Sequence, residues 1–139
     1  MLVATGVIDH IVVGVTSFAD TPMKFMILAS ILYLILGCFI DTTSMLVVTL
    51  PFLFPVVVAL KIDPIWFGIV LVKLIEISTV TPPVGLNLFA VMSAVGKDAD
   101  FGHVYRGVLP FILLELIVLV ILVLFPEIAT WLPDRMIGK

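Results

Sequence analysis

The chain has 139 residues, of which 63% are hydrophobic and 12% charged, and its mean hydropathy is +1.37. A soluble domain is nearer half apolar and about a quarter charged, so this composition marks an integral membrane protein. A formal net charge of −3 with scattered charges leaves no basic footprint for nucleic acid, and the single Cys38 excludes an internal disulfide.

Neither His10 nor His103 has a Cys or His neighbour at metal-ligand spacing, so no zinc site is expected. The first residues are apolar but lack a basic leader, and Asp9 and His10 interrupt them, which argues against a cleavable signal. Met1 to Phe18 reads as an amphipathic helix or the tail of a span whose beginning is missing. It falls short of the roughly 20 apolar residues of a span, so an interfacial or connecting helix over 1–21 is the preferred reading. Thr21 and Pro22 then supply a cap and a first helical residue.

Met23 to Leu36 is an apolar helix that runs into Gly37-Cys38-Phe39-Ile40-Asp41-Thr42-Thr43-Ser44. Asp41, Thr42, Thr43 and Ser44 are good helix N-caps. Met45 to Leu60 is apolar again, with Pro51 and Pro55 inside it. Each arm spans about 20–25 Å, short of a full crossing, so residues 22–62 are expected to form a re-entrant hairpin with a polar tip. Two short spans joined by a surface loop remain the alternative, since hydropathy alone cannot place the tip.

Lys61-Ile62-Asp63-Pro64 is the next turn. Ile65 to Val95 is apolar, but Thr79-Val80-Thr81-Pro82-Pro83-Val84-Gly85-Leu86-Asn87 interrupts it. Two adjacent prolines cannot sit in one continuous helix, Thr81 is pushed towards extended geometry by Pro82, and Gly85 opens conformations closed to other residues. The expectation over 63–95 is a helix ending near Ser78, an unwound piece, and a second half-helix from near Val84. Unwound backbone at membrane depth survives only in protein or beside a cavity. There free carbonyls and threonine hydroxyls suit a cation, and the free N–H groups opening the second half-helix suit an anion. A proline kink without a ligand is the plainer reading. Lys73 and Glu76 share a helix face and read as a structural pair rather than a proton relay.

Residues 96–102 (GKDADFG) form a loop. His103 to Phe125 is the last span, closing at residue 126, with Pro110 and a Glu115 that can pair with a neighbouring helix. Residues 127–139 are a polar tail in which Trp131 is placed as an interfacial anchor. With a re-entrant hairpin, Lys24, Lys61, Arg135 and Lys139 lie on one side and Lys97 and Arg106 on the other, a bias too small to orient the chain.

GCFIDTTSMLVVTLPFLFPV, KIDPIWFGIVLVKLIEISTVTPPVGLNLF and VLPFILLELIVLVILVLFPEIATWLP together resemble the C-terminal third of the large permease subunit (DctM-like) of tripartite ATP-independent periplasmic (TRAP) transporters. The resemblance runs from about Leu2 to Pro133, and TPPVG followed by LNLF is its most specific part. It implies an all-α, elevator-type transporter of two inverted repeats, each a re-entrant hairpin followed by a broken helix, in the bacterial inner membrane. Function would be sodium-coupled uptake of organic acids, dicarboxylate-like by preference, delivered by a periplasmic substrate-binding protein and requiring a small membrane subunit. The resemblance places sodium on Gly37 and Asp41 at the tip and on Thr79, Thr81, Pro82 and Gly85 at the break, with substrate near Thr42, Thr43 and Asn87; sodium is the coupling ion and no cofactor is implied. Hard oxygen donors for a hard cation agree with the local chemistry.

Family permeases are much longer than this chain, and the first hairpin, its broken helix and most scaffold helices have no counterpart in it. A misassigned start, a gene fragment and one piece of a split subunit are the expectations for Met1. A non-transporting membrane assembly subunit or degenerate fragment is the competing function. An enzyme is not expected: Ser44, Ser78 and Ser93 have no histidine at membrane depth, and no H-E-x-x-H pattern occurs.

Overall fold

The computed structural model describes residues 2–81, 86–96 and 100–137. The described residues form α1 (Leu2–Phe18), α2 (Pro22–Gly37), α3 (Thr42–Ala59), α4 (Pro64–Val80), α5 (Leu86–Val95), α6 (Phe101–Leu124) and α7 (Pro126–Ile137), with no strand among them. The all-α expectation holds.

Local chemistry sets the helix starts. Thr21 caps α2 by accepting the Lys24 N–H at 3.4 Å, and Asp41 caps α3 by accepting the Ser44 N–H at 3.0 Å. Asp63 caps α4 by accepting from Ile65 at 2.7 Å and Trp66 at 3.2 Å, with Pro64 next to it. All three are cap residues of the preferred kind. Between α3 and α4 the chain reverses through a Schellman turn. The Ile62 N–H reaches Val57 O at 2.9 Å, the Lys61 N–H reaches Val58 O at 3.1 Å, and Lys61 takes a left-handed φ of 54°.

α3 is longer than the arm expected from the sequence, because it takes in Thr42, Thr43 and Ser44 at once after the Asp41 cap. By length and composition α3 and α6 can each cross a membrane, and the pair Val12–Phe18 with Pro22–Gly37 does so only as a span bent by 106°. α1 packs on α3, with Val12 and Val15 against the core. The tail expected after the last span is itself helical: α7 packs on α4 and α6, with Ala129 buried and Trp131 exposed beneath the Arg135 guanidinium, 5.3 Å from the ring centroid.

α4 is the central helix, in contact with α2, α3, α5, α6 and α7. It buries Trp66, Phe67, Val70, Leu71, Leu74, Ile75, Ile77 and Ser78, a stripe at helical spacing. Facing it are Phe25 and Tyr33 of α2, Met45 and Val57 of α3, and Leu119 and Leu122 of α6. Two polar contacts fix the packing. Tyr33 hydrogen-bonds Thr49 between α2 and α3. Trp66 Nε1 donates to Leu122 O at 2.7 Å in a buried contact between α4 and α6. Residue 126, which would serve that carbonyl within a helix, is a proline, so the indole supplies the missing donor.

Candidate functional site

α4 continues to Val80, two residues beyond the expected end near Ser78. The reason is local: the Thr81 N–H still reaches Ser78 O at 3.3 Å, so the last turn tightens and persists up to the residue before proline. Thr81 itself is extended, at φ −85° and ψ 135°, as a residue preceding proline must be. The described part of the second half-helix begins at Leu86. The candidate ligands Pro82 and Gly85, the expected helix start at Val84, and Lys97 and Lys139 of the charge comparison lie outside the described residues.

The oxygens beside the break share one property. Thr81 Oγ1 donates to Ile77 O at 2.6 Å, Ser78 Oγ to Ile75 O at 2.8 Å and Thr79 Oγ1 to Glu76 O at 2.9 Å. Each hydroxyl proton is committed to a main-chain carbonyl, so what each oxygen offers outward is lone pairs. Asn87 reaches back from α5, donating its amide to Thr79 Oγ1 at 3.2 Å, which leaves its carbonyl oxygen as an acceptor. The Thr79 carbonyl is a further acceptor. Its helical donors, three and four residues on, would be Pro82 and Pro83, and neither has an N–H. Half-buried Thr79, in contact with exposed Asn87, and half-buried Thr81 two residues on thus present acceptor oxygens next to the end of α4. That is the chemistry of a hard cation's ligands.

The hairpin tip meets the same turn. Gly37, the last residue of α2, lies against Ser78, and a Cβ at Gly37 would collide with the Ser78 hydroxyl and Cβ. Small residues on both sides allow this approach. Sequence reasoning named Gly37 but missed Ser78, which is fully buried between the tip and the break. The signal available was a lone serine on the buried stripe of α4, one residue before the threonines.

The other tip residues are placed differently. The Asp41 carboxylate caps α3, with half-buried Thr42 and exposed Thr43 in the first helical turn. Among the described residues no hydrogen bond joins these three to Thr79 or Thr81.

Lys73 and Glu76 pair as expected, at 2.9 Å, and Glu115 of α6 joins them, its carboxylate 2.8 Å from the same ammonium. Sequence reading left the partner of Glu115 open.

Comparison with known proteins decides the family. A family model described as the DctM component of the tripartite ATP-independent periplasmic transporter matches residues 1–128. The chain belongs to the DctM family of TRAP transporters. It is 39% identical over 117 residues to the C4-dicarboxylate TRAP transporter large permease protein DctM of Vibrio cholerae, covering 84% of this chain and 25% of that protein. To the sialic acid TRAP transporter large permease protein SiaM of the same organism it is 38% identical over 122 residues, covering 88% of this chain and 28% of SiaM. To the 2,3-diketo-L-gulonate TRAP transporter large permease protein YiaN of Escherichia coli it is 35% identical over 109 residues, covering 78% and 25%. The chain therefore spans about a quarter of the length of these DctM relatives. No solved structure matches it significantly. Family and apolar helices together point to a multi-pass membrane protein.

Proposed function

We propose that this segment carries a sodium site of a TRAP large permease subunit and couples sodium entry to uptake of an organic acid across the bacterial inner membrane. The observation that carries the reading is the acceptor-only oxygen set at the break: the Thr79 carbonyl and hydroxyl, the Thr81 hydroxyl and the Asn87 carbonyl oxygen. Such a set repels an anion and suits sodium. Gly37 against Ser78 brings the hairpin tip to the same turn, so tip carbonyls, Pro82 and Gly85 complete the proposed ligand shell. Asp41 adds negative charge from the tip.

Substrate is proposed to sit beside the ion. The Thr42 and Thr43 hydroxyls in the first turn of α3, beside the Asp41 cap, and the Asn87 amide supply its polar contacts. C4-dicarboxylate, sialic acid and diketogulonate, named for the relatives, share a carboxylate; a dicarboxylate-like acid is the narrower proposal. In this reading α2 and α3 form a re-entrant hairpin. A periplasmic binding protein delivers the acid, and a small membrane subunit completes the assembly.

The test is uptake of labelled succinate and labelled sialic acid by the complete permease, reconstituted with its small subunit and binding protein. Uptake of one acid that requires an inward sodium gradient is the expected result. Equal uptake when choline replaces sodium would refute sodium coupling.

A further inference from the structure

The polar contacts at the break continue into α6. Lys73 Nζ lies 2.9 Å from Glu76 Oε2 and 2.8 Å from Glu115 Oε2. The Glu76 main-chain carbonyl accepts the Thr79 hydroxyl, and Thr79 accepts the Asn87 amide. One connected path therefore joins α6, the last turns of α4 and the start of α5.

This path sits in a regular helix pairing. Trp66 of α4 bonds Leu122 of α6, and Lys73 of α4 bonds Glu115 of α6. Trp66 to Lys73 is one heptad forwards, and Leu122 to Glu115 is one heptad back, so the contacts mark an antiparallel seam, with about 10 Å between them. The Trp66 contact holds the start of α4, and the Lys73 contact is the last side-chain bond from α4 to α6 before the break among the described residues.

We propose that Lys73 is a positioning residue for the cation site: by holding Glu76 and Glu115 on one ammonium it fixes the last turns of α4, with Thr79 and Thr81, against α6. This rests on the reading that the break binds sodium. The physical reason is the charge arrangement. Without the ammonium, two carboxylates are left close together between the last turns of α4 and the apolar α6, where an unpaired charge is costly. The helices must then part on the side of the break, because Trp66 still holds the other side. Thr79 and Asn87 move with α4, and the ligand set opens.

The experiment uses the complete permease carrying this segment, purified in detergent. Sodium binding is read from the rise in melting temperature with sodium chloride, against choline chloride at equal ionic strength. Lys73→Met is expected to raise the sodium midpoint about tenfold, and Glu115→Gln, which keeps the Lys73–Glu76 pair, about threefold. Lys73→Arg keeps the charge and should stay within about twofold of the parent. Lys73→Glu combined with Glu115→Lys again places one ammonium between two carboxylates, and should return the midpoint to within about threefold. Parent midpoints in both Lys73→Met and Glu115→Gln would overturn the proposal, as would a charge exchange no better than Lys73→Met. If Lys73→Met does not accumulate, Glu115→Gln and the charge exchange decide by the same criteria. Thr81→Val is measured alongside. A shift there with none at Lys73 refutes only the positioning role, whereas no shift at Thr81 counts against the sodium site itself.

Discussion

Gly37 and Ser78 touch where the end of α2 crosses the last turn of α4, so closely that no side chain fits at residue 37. Gly37→Ala is therefore expected to overpack this crossing and destabilise the permease by about 1–3 kcal/mol. Ser78→Gly in the same molecule should recover part of the loss, because it removes the colliding Cβ and hydroxyl. Thermal unfolding of the two variants and the parent checks this. Gly37→Ala as stable as the parent would show that the two segments do not meet.

A second expectation concerns Trp66. Its indole replaces the helical donor that Pro126 cannot give to Leu122. Trp66→Phe keeps a ring and leaves that buried carbonyl unpaired, at a cost of about 1–3 kcal/mol. Pro126→Ala in the Trp66→Phe background restores an N–H and should regain some of it. Denaturation midpoints in detergent read both changes, and additive effects would contradict the substitution of donors.

Much of this was legible in the sequence. Thr21, the run from Asp41 to Ser44, and Pro64 announced three helix starts, because cap side chains satisfy N–H groups that a helix leaves open and proline fits the first helical position. The two prolines announced the break, because proline removes donors whatever surrounds it. What was not legible depended on distant partners. Glu115 met Lys73 across the α4–α6 seam, and Ser78 met Gly37 across a helix crossing. The terminal helix α7 was read as a polar tail since its proline and charges hid a short helix that packs through Ala129.

A third expectation concerns sufficiency. Among the described residues α2 and α3 match one expected hairpin, and α4 with α5 one expected broken helix, whereas alternating access in inverted-repeat transporters uses two repeats around a shared site. Vesicles containing only the 139-residue chain should accumulate neither succinate nor sialic acid when a sodium gradient is imposed. Accumulation would mean that copies of the segment assemble into a working pair of repeats.

The central claim is that acceptor oxygens at the break bind sodium, and Thr81 tests it most directly. Its hydroxyl proton is spent on Ile77 O at 2.6 Å, which leaves lone pairs for an ion. Thr81→Val preserves shape and removes that oxygen. The measurement is the sodium dependence of uptake by the complete reconstituted transporter, at saturating substrate and binding protein. The account predicts a sodium midpoint raised about tenfold, equivalent to about 1.4 kcal/mol, with normal insertion of the protein. An unchanged midpoint in Thr81→Val would contradict it.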